Sequence, residues 1–91
     1  MLKIALPSRL NLEAAEETAN VVRERIKNHK AVLIDASEVR IIEPEGLDCL
    51  LAISGFVRDN RLPKVIIRRP SRVMRDVLIL SNTLKLFEII E

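Results

Sequence analysis

The chemistry-bearing residues of this chain are few, and most of them gather in one stretch. Ile41-Ile42-Glu43-Pro44-Glu45-Gly46-Leu47-Asp48-Cys49-Leu50-Leu51 brings an apolar pair, an acidic-Pro-acidic-Gly turn and the start of an apolar segment. Glu43 and Glu45 flank a proline suited to the first position of a helix, where acids also meet the positive end of the helix dipole. Helix chemistry alone therefore accounts for the pattern, and an exposed carboxylate at that end is equally able to set the charge of a binding surface. Outside this stretch, catalysis finds little support. The single histidine, His29, follows Arg23, Arg25 and Lys27 and reads as a cation at a helix end. Cys49 lies in an apolar run and reads as a small hydrophobe. One His and one Cys cannot make a His/Cys metal cluster. The only glycines, Gly46 and Gly55, fit neither a phosphate-binding loop nor a dinucleotide fingerprint. No cofactor is expected and no catalytic set can be assembled.

One charge concentration remains. Lys64, Arg68, Arg69, Arg72 and Arg75 span the end of one segment and the start of the next. A solvated rim is the plain reading, and a docking surface for an acidic protein face is the sharper one. Nucleic acid is disfavoured because no reading element accompanies the charge. Ser37 and Ser71 are hydroxyls a kinase could reach, although Ser71 is better placed as a helix cap.

Composition bounds the rest. Ninety-one residues suit one domain over 1–91, and 48 % hydrophobic residues argue against disorder. The aromatics are two phenylalanines, so the core is aliphatic and a base-stacking surface is nearly excluded. A lone cysteine fits a reducing cytoplasm. No apolar run approaches the ~20 residues that span a bilayer, and the N-terminus lacks a signal-peptide pattern. A cytoplasmic protein without membrane insertion is expected.

The elements that must position the turn follow from periodicity. Leu2, Ile4 and Leu6 alternate as in a half-buried strand, which Pro7 ends. Asn11 caps a helix whose inner stripe reads Leu12, Ala15, Ala19, Val22 and Ile26. The run Ala31–Ile34, closed by Asp35, suits a central strand. A second helix is expected from Pro44 to Asn60, with Leu47, Leu50, Leu51, Ser54 and Val57 inward and Ile53 at the margin. Cys49 and Phe56 fall near its opposite face, either flanking neighbouring helices or forming a small apolar patch used by a partner. Lys64–Arg68 reads as a strand. Ser71 caps a third helix with Val73, Val77, Leu78 and Ser81 inward and Met74 and Leu80 flanking, and Asn82 suits its left-handed end. Leu86–Ile90 reads as a last strand. The order β-α-β-α-β-α-β predicts an α/β fold with a mostly parallel sheet and helices packed against it.

These pieces, in this order, resemble the STAS family of sulfate transporters and anti-sigma factor antagonists. The resemblance rests on Val32-Leu33-Ile34-Asp35 with Ala36-Ser37-Glu38-Val39, on Ile42-Glu43-Pro44-Glu45-Gly46-Leu47 and Leu50-Leu51, and downstream on Pro70–Leu78 and Leu84–Ile89. It implies a STAS-like, mixed but mostly parallel sheet. It also implies a non-catalytic signalling module that binds a protein partner in bacterial transcription regulation. In the regulatory members of the family the segment before the second helix reads Asp-Ser-Ser/Thr-Gly-Leu, and its second hydroxyl is phosphorylated by a kinase that is also the anti-sigma partner. Here Glu43 stands for the Asp, Pro44 for the first Ser and Glu45 for the phosphorylated hydroxyl, while Gly46 and Leu47 are retained. Glu45 has no hydroxyl, so the phosphoswitch is absent or mimicked. The implied partner surface comprises Ser37, Glu38, Arg40, Glu43, Pro44, Glu45, Gly46, Asp48, Cys49 and Phe56, with Arg72 and Arg75.

Three settings fit the resemblance. One is antagonism of an anti-sigma kinase, and another is an accessory role on the ATPase subunit of an ABC transporter. The third is a small-ligand module sensing a nucleotide or anion. Many family members carry a longer antiparallel start and a helix after the last strand. Here only Leu2–Leu6 and Ser8–Leu10 offer a start and the sequence stops at Glu91, which would leave part of the sheet or of the third helix uncovered: either a homodimer or tight partner covers it, or the family's minimal form tolerates it.

Overall fold

A computed structural model describes residues 1–91. The strands are β1 (Leu2–Ala5), β2 (Arg9–Leu10), β3 (Val32–Asp35), β4 (Ile41–Ile42), β5 (Ile66–Arg68) and β6 (Glu88–Ile90). The helices are α1 (Leu12–Arg25), α2 (Pro44–Asp59) and α3 (Arg72–Leu80), with short 3-10 turns at Ile26–Asn28 and Leu84–Leu86. The main sheet runs β1-β3-β5-β6, and β2 pairs with β4 in a separate two-stranded ribbon. Every ladder is parallel. The reason is connectivity: a helix lies in each return from one main strand to the next, and such crossovers bring the chain back in the same direction.

The strand order advances steadily from one edge to the other. Right-handed crossovers then place every helix on one face. Burial agrees. Ala15, Ala19 and Val22 of α1, Leu50, Ile53 and Val57 of α2, and Met74 and Leu78 of α3 share one core with Val32, Ile34, Val65 and Ile67. The core is aliphatic apart from Phe87.

Helix starts follow the sequence closely. The Asn11 side chain accepts from the Ala14 N–H at 2.9 Å, and the Ser71 hydroxyl accepts from the Met74 N–H at 3.1 Å. Asn82 takes the left-handed conformation, with φ 58°, just past α3.

The inner faces differ from the expected stripes. On α1, Leu12 is exposed because it occupies the first helical position, beyond the packed stretch. Thr18 is buried instead, its hydroxyl donating to the Ala14 carbonyl at 3.1 Å. On α2 the buried line is Gly46, Leu50, Ile53 and Val57, so Ile53 is central and Leu47, Leu51 and Ser54 are only half-buried. The contact made by Gly46, described below, sets that rotation. On α3 the line is Met74 and Leu78, one turn apart. Val73 and Ser81 are exposed, and Leu80 is 85 % exposed, because the nine-residue helix touches the core along a single i, i+4 pair. Residues 84–86 form a 3-10 turn, so the last strand starts at Glu88.

Candidate functional site

The site is built where β4 hands the chain to α2. Glu43 is the N-cap, in extended conformation, and Pro44 opens the helix. The Glu43 side chain makes no capping hydrogen bond and pairs instead with Arg9 of β2, Nε to Oε2 at 3.3 Å. Its backbone N–H donates to the Leu10 carbonyl at 3.0 Å. The β2–β4 ribbon thus holds the first turn of α2 by both backbone and side chain. Gly46 completes the arrangement. A Cβ at this position would lie 2.3 Å from the Leu10 carbonyl oxygen, so the helix rests directly on the β2 backbone. Only a residue without a side chain allows that approach.

Glu45 lies one residue beyond Pro44, exposed, and forms no ion pair. Asp48, one turn further on, is exposed as well. The two acids flanking Pro44 therefore differ in employment: Glu43 is engaged with Arg9, and Glu45 is open to solvent. Positions 45, 48 and 52 form one exposed strip running up α2.

Cys49 and Phe56 are half-buried beside this strip. They line a groove between α1 and α2 with Ala19, Val22, Arg23, Ala52 and Ile53. Both residues pack against the core at the α1–α2 contact while keeping part of their surface exposed. Burial pushes the Cys49 thiol above its ordinary value, Glu16 adds to the rise and Arg23 opposes it.

The loop from β3 to β4 forms the neighbouring wall. Asp35 Oδ1 accepts from the Ser37 N–H at 2.9 Å. That bond, and then the Ser37 hydroxyl, hold the Asp35 carboxyl below its ordinary range. Partial burial opposes them, and the Arg68 and Arg69 guanidiniums assist. Arg40 donates from Nη1 to the Ser37 carbonyl at 3.1 Å, and its own N–H donates to the Ser8 carbonyl at 2.7 Å. Glu38 is exposed at the loop tip. The Ser71 N–H donates to the Ala36 carbonyl at 3.1 Å, which ties the start of α3 to this loop.

The two α3 arginines divide. Arg75 is paired with Glu91, whereas Arg72 is almost wholly exposed and 3.9 Å from Asp76. Together the residues fall into three groups: the acidic start of α2, the Ser37–Arg40 loop with the start of α3, and the α1–α2 groove holding Cys49 and Phe56. Gly46 is buried and belongs to the foundation of the first group. Sequence reasoning missed Arg9 and Leu10 as the support of α2. The signal was slight, because a two-residue strand carries no period, and only the apolar Leu10 before the Asn11 cap marked it.

No known family model matches the sequence, and no curated protein matches it. In structure the chain is similar to a provisionally assigned anti-sigma factor antagonist from Thermotoga maritima, solved by crystallography. The TM-score is 0.79 at 21 % sequence identity, over 97 % of this chain and 77 % of that one. No helix here is long and apolar enough to cross a membrane. The chain shares the α/β fold of that protein.

Proposed function

We propose that this chain is a non-catalytic, cytoplasmic regulatory module that docks on a protein partner through the start of α2 and the adjoining Ser37–Arg40 loop. Glu45 occupies the position that a phosphorylated hydroxyl takes in the anti-sigma factor antagonists that the sequence resembles. It supplies a fixed negative charge of one, against about −1.5 to −2 for a phosphoserine. The usual switch is then absent, and partner affinity is set once by this carboxylate.

One observation carries the reading. Of the two acids flanking Pro44, Glu43 is occupied by Arg9 and Glu45 is exposed without an ion partner. A first-turn carboxylate is favoured by the helix dipole wherever its side chain points. An exposed one beside Asp48 additionally presents charge to whatever approaches the strip. The partner suited to it is an ATPase-fold protein of the anti-sigma kinase or transporter-ATPase kind. A tagged pull-down from the source cell, with the parent and Glu45→Ser compared quantitatively, tests the reading. A kinase-like or ATPase protein recovered in clearly different amounts by the two forms is expected. Equal recovery would move the interface away from Glu45.

A further inference from the structure

The topology leaves one face of the main sheet without a helix. Two cross-strand rows lie on that face, as the register shows: Lys3–Leu33–Ile66–Glu88 and Ala5–Asp35–Arg68–Ile90. Their alternate neighbours, Ile34 and Ile67 among them, point into the helix-covered core. Leu33 is buried and Ile66 half-buried, but neither belongs to the helix-covered cluster. No helix covers this face: Lys3, Ala5, Glu88 and Ile90 on its edge strands are exposed, Asp35 and Arg68 are half-buried between them, and a shallow depression is lined by Lys3, Ile4, Ala5, Leu33, Asp35 and Arg68. All-parallel sheets are ordinarily covered on both faces, so this one lacks half of its usual cover.

The charges on the two rows say what fits there. Consider a second copy laid face to face, related by a twofold axis parallel to the strands. β1 then lies over β6 of the copy, and β3 over its β5. The first row meets itself reversed, so that Lys3 faces Glu88 and Leu33 faces Ile66. The second row does likewise, with Asp35 facing Arg68 and Ala5 facing Ile90. All four charges meet the opposite sign, and the four apolar residues meet apolar residues. We infer that the open sheet face is a self-complementary surface that binds a second copy of this chain about a twofold axis parallel to the strands. Two stacked sheets sit about 10 Å apart with their strands some 30° from aligned, which keeps the central pairs in register. This surface is independent of the docking strip on α2.

The face is four short strands wide, less than the roughly 800 Å² per partner of a standard interface, so the dimer is weak and forms at about 10 µM to 1 mM chain. Lys3 and Glu88 give the sharpest test. Both are exposed, and they stand on opposite edge strands about 14 Å apart, three strand spacings, so they do not pair within one chain. Sedimentation equilibrium across that concentration range would be run on the parent, Lys3→Glu, Glu88→Lys and the double reversal. The parent is expected to dimerise. Each single reversal sets like charges opposite one another twice and weakens association by about tenfold or more. The double reversal restores it to within about threefold, because every pair is opposite in sign again. A parent that stays monomeric at about 1 mM overturns the inference. So do single reversals that associate as the parent does, which would place self-association elsewhere, for instance at Ile79 and Leu80.

Discussion

The α-carbon of Gly46 lies so close to the carbonyl of Leu10 that a methyl group on it would sit 2.3 Å from the oxygen. This contact fixes how α2 meets the β2–β4 ribbon, and so where Glu45 and Asp48 emerge. It also explains why the glycine retained in the family resemblance is not itself a surface residue.

A paired substitution tests that contact. Gly46→Ala forces a backbone carbonyl to move and is expected to cost about 2 kcal/mol of stability, within the usual range for overpacking. Gly55, in the same helix, has nothing within 4 Å of a would-be Cβ. Gly55→Ala is expected to stabilise by about 0.5–1 kcal/mol through the lost flexibility of the unfolded chain. Urea denaturation of both variants gives the two signs, and a neutral Gly46→Ala would refute the contact.

The helix caps make a second comparison. Ser71 caps α3 with its side chain, whereas Glu43 at the start of α2 does not cap. Ser71→Ala is expected to cost about 1 kcal/mol. Glu43→Asp shortens the side chain to one that caps well and is expected to raise stability by about 0.5 kcal/mol, the gain being offset in part by a weakened exposed pair with Arg9. Melting temperatures in one buffer check both. A loss on Glu43→Asp as large as that on Ser71→Ala would show that the Arg9 pair outweighs the cap.

Asp35 predicts an acid response. Its folded-state carboxyl is held below the ordinary 3.8, so the unfolded chain binds the proton more readily than the folded one. The stabilisation is complete well above 3.8 and is lost as pH falls through 3.8 towards the lower folded value. Asp35→Asn keeps an oxygen able to accept from the Ser37 N–H and removes the charge. Its stability should fall less steeply than the parent's below about pH 4. Denaturation series at pH 6, 4 and 3 decide it, and parallel slopes for the two proteins would contradict the assignment.

How much of this was legible in the sequence depended on the length and period of each signal. The α/β order, the Asn11 and Ser71 caps, Asn82 and the start of α2 at Pro44 were readable, because each is a local signal with a mechanism of its own. The inner faces were less so. Leu12, Val73 and Ser81 fit a helical stripe yet lie exposed, since a stripe marks an arc and the actual contact line depends on what the helix meets. Ile53 became central because Gly46 set the roll of α2 on Leu10, a backbone contact with no periodic trace. Leu86 and Phe87 read as the start of the last strand, but Leu86 closes a 3-10 turn and the strand begins at Glu88. At the site, the turn and its acids were visible from residue types alone. The different employment of Glu43 and Glu45 was not, because it depends on Arg9, 34 positions earlier in the chain.

The most direct test is the affinity of the partner captured from the source cell for three forms: the parent, Glu45→Gln and Glu45→Asp. Gln keeps the shape and removes the charge, and Asp keeps the charge and changes the shape. If Glu45 acts through its charge on the partner, Glu45→Gln shifts Kd by about threefold to tenfold, or about 0.7–1.4 kcal/mol for one partly exposed charge contact, and Glu45→Asp stays within about twofold of the parent. Three equal affinities would contradict the account and reduce Glu45 to the opening of a helix.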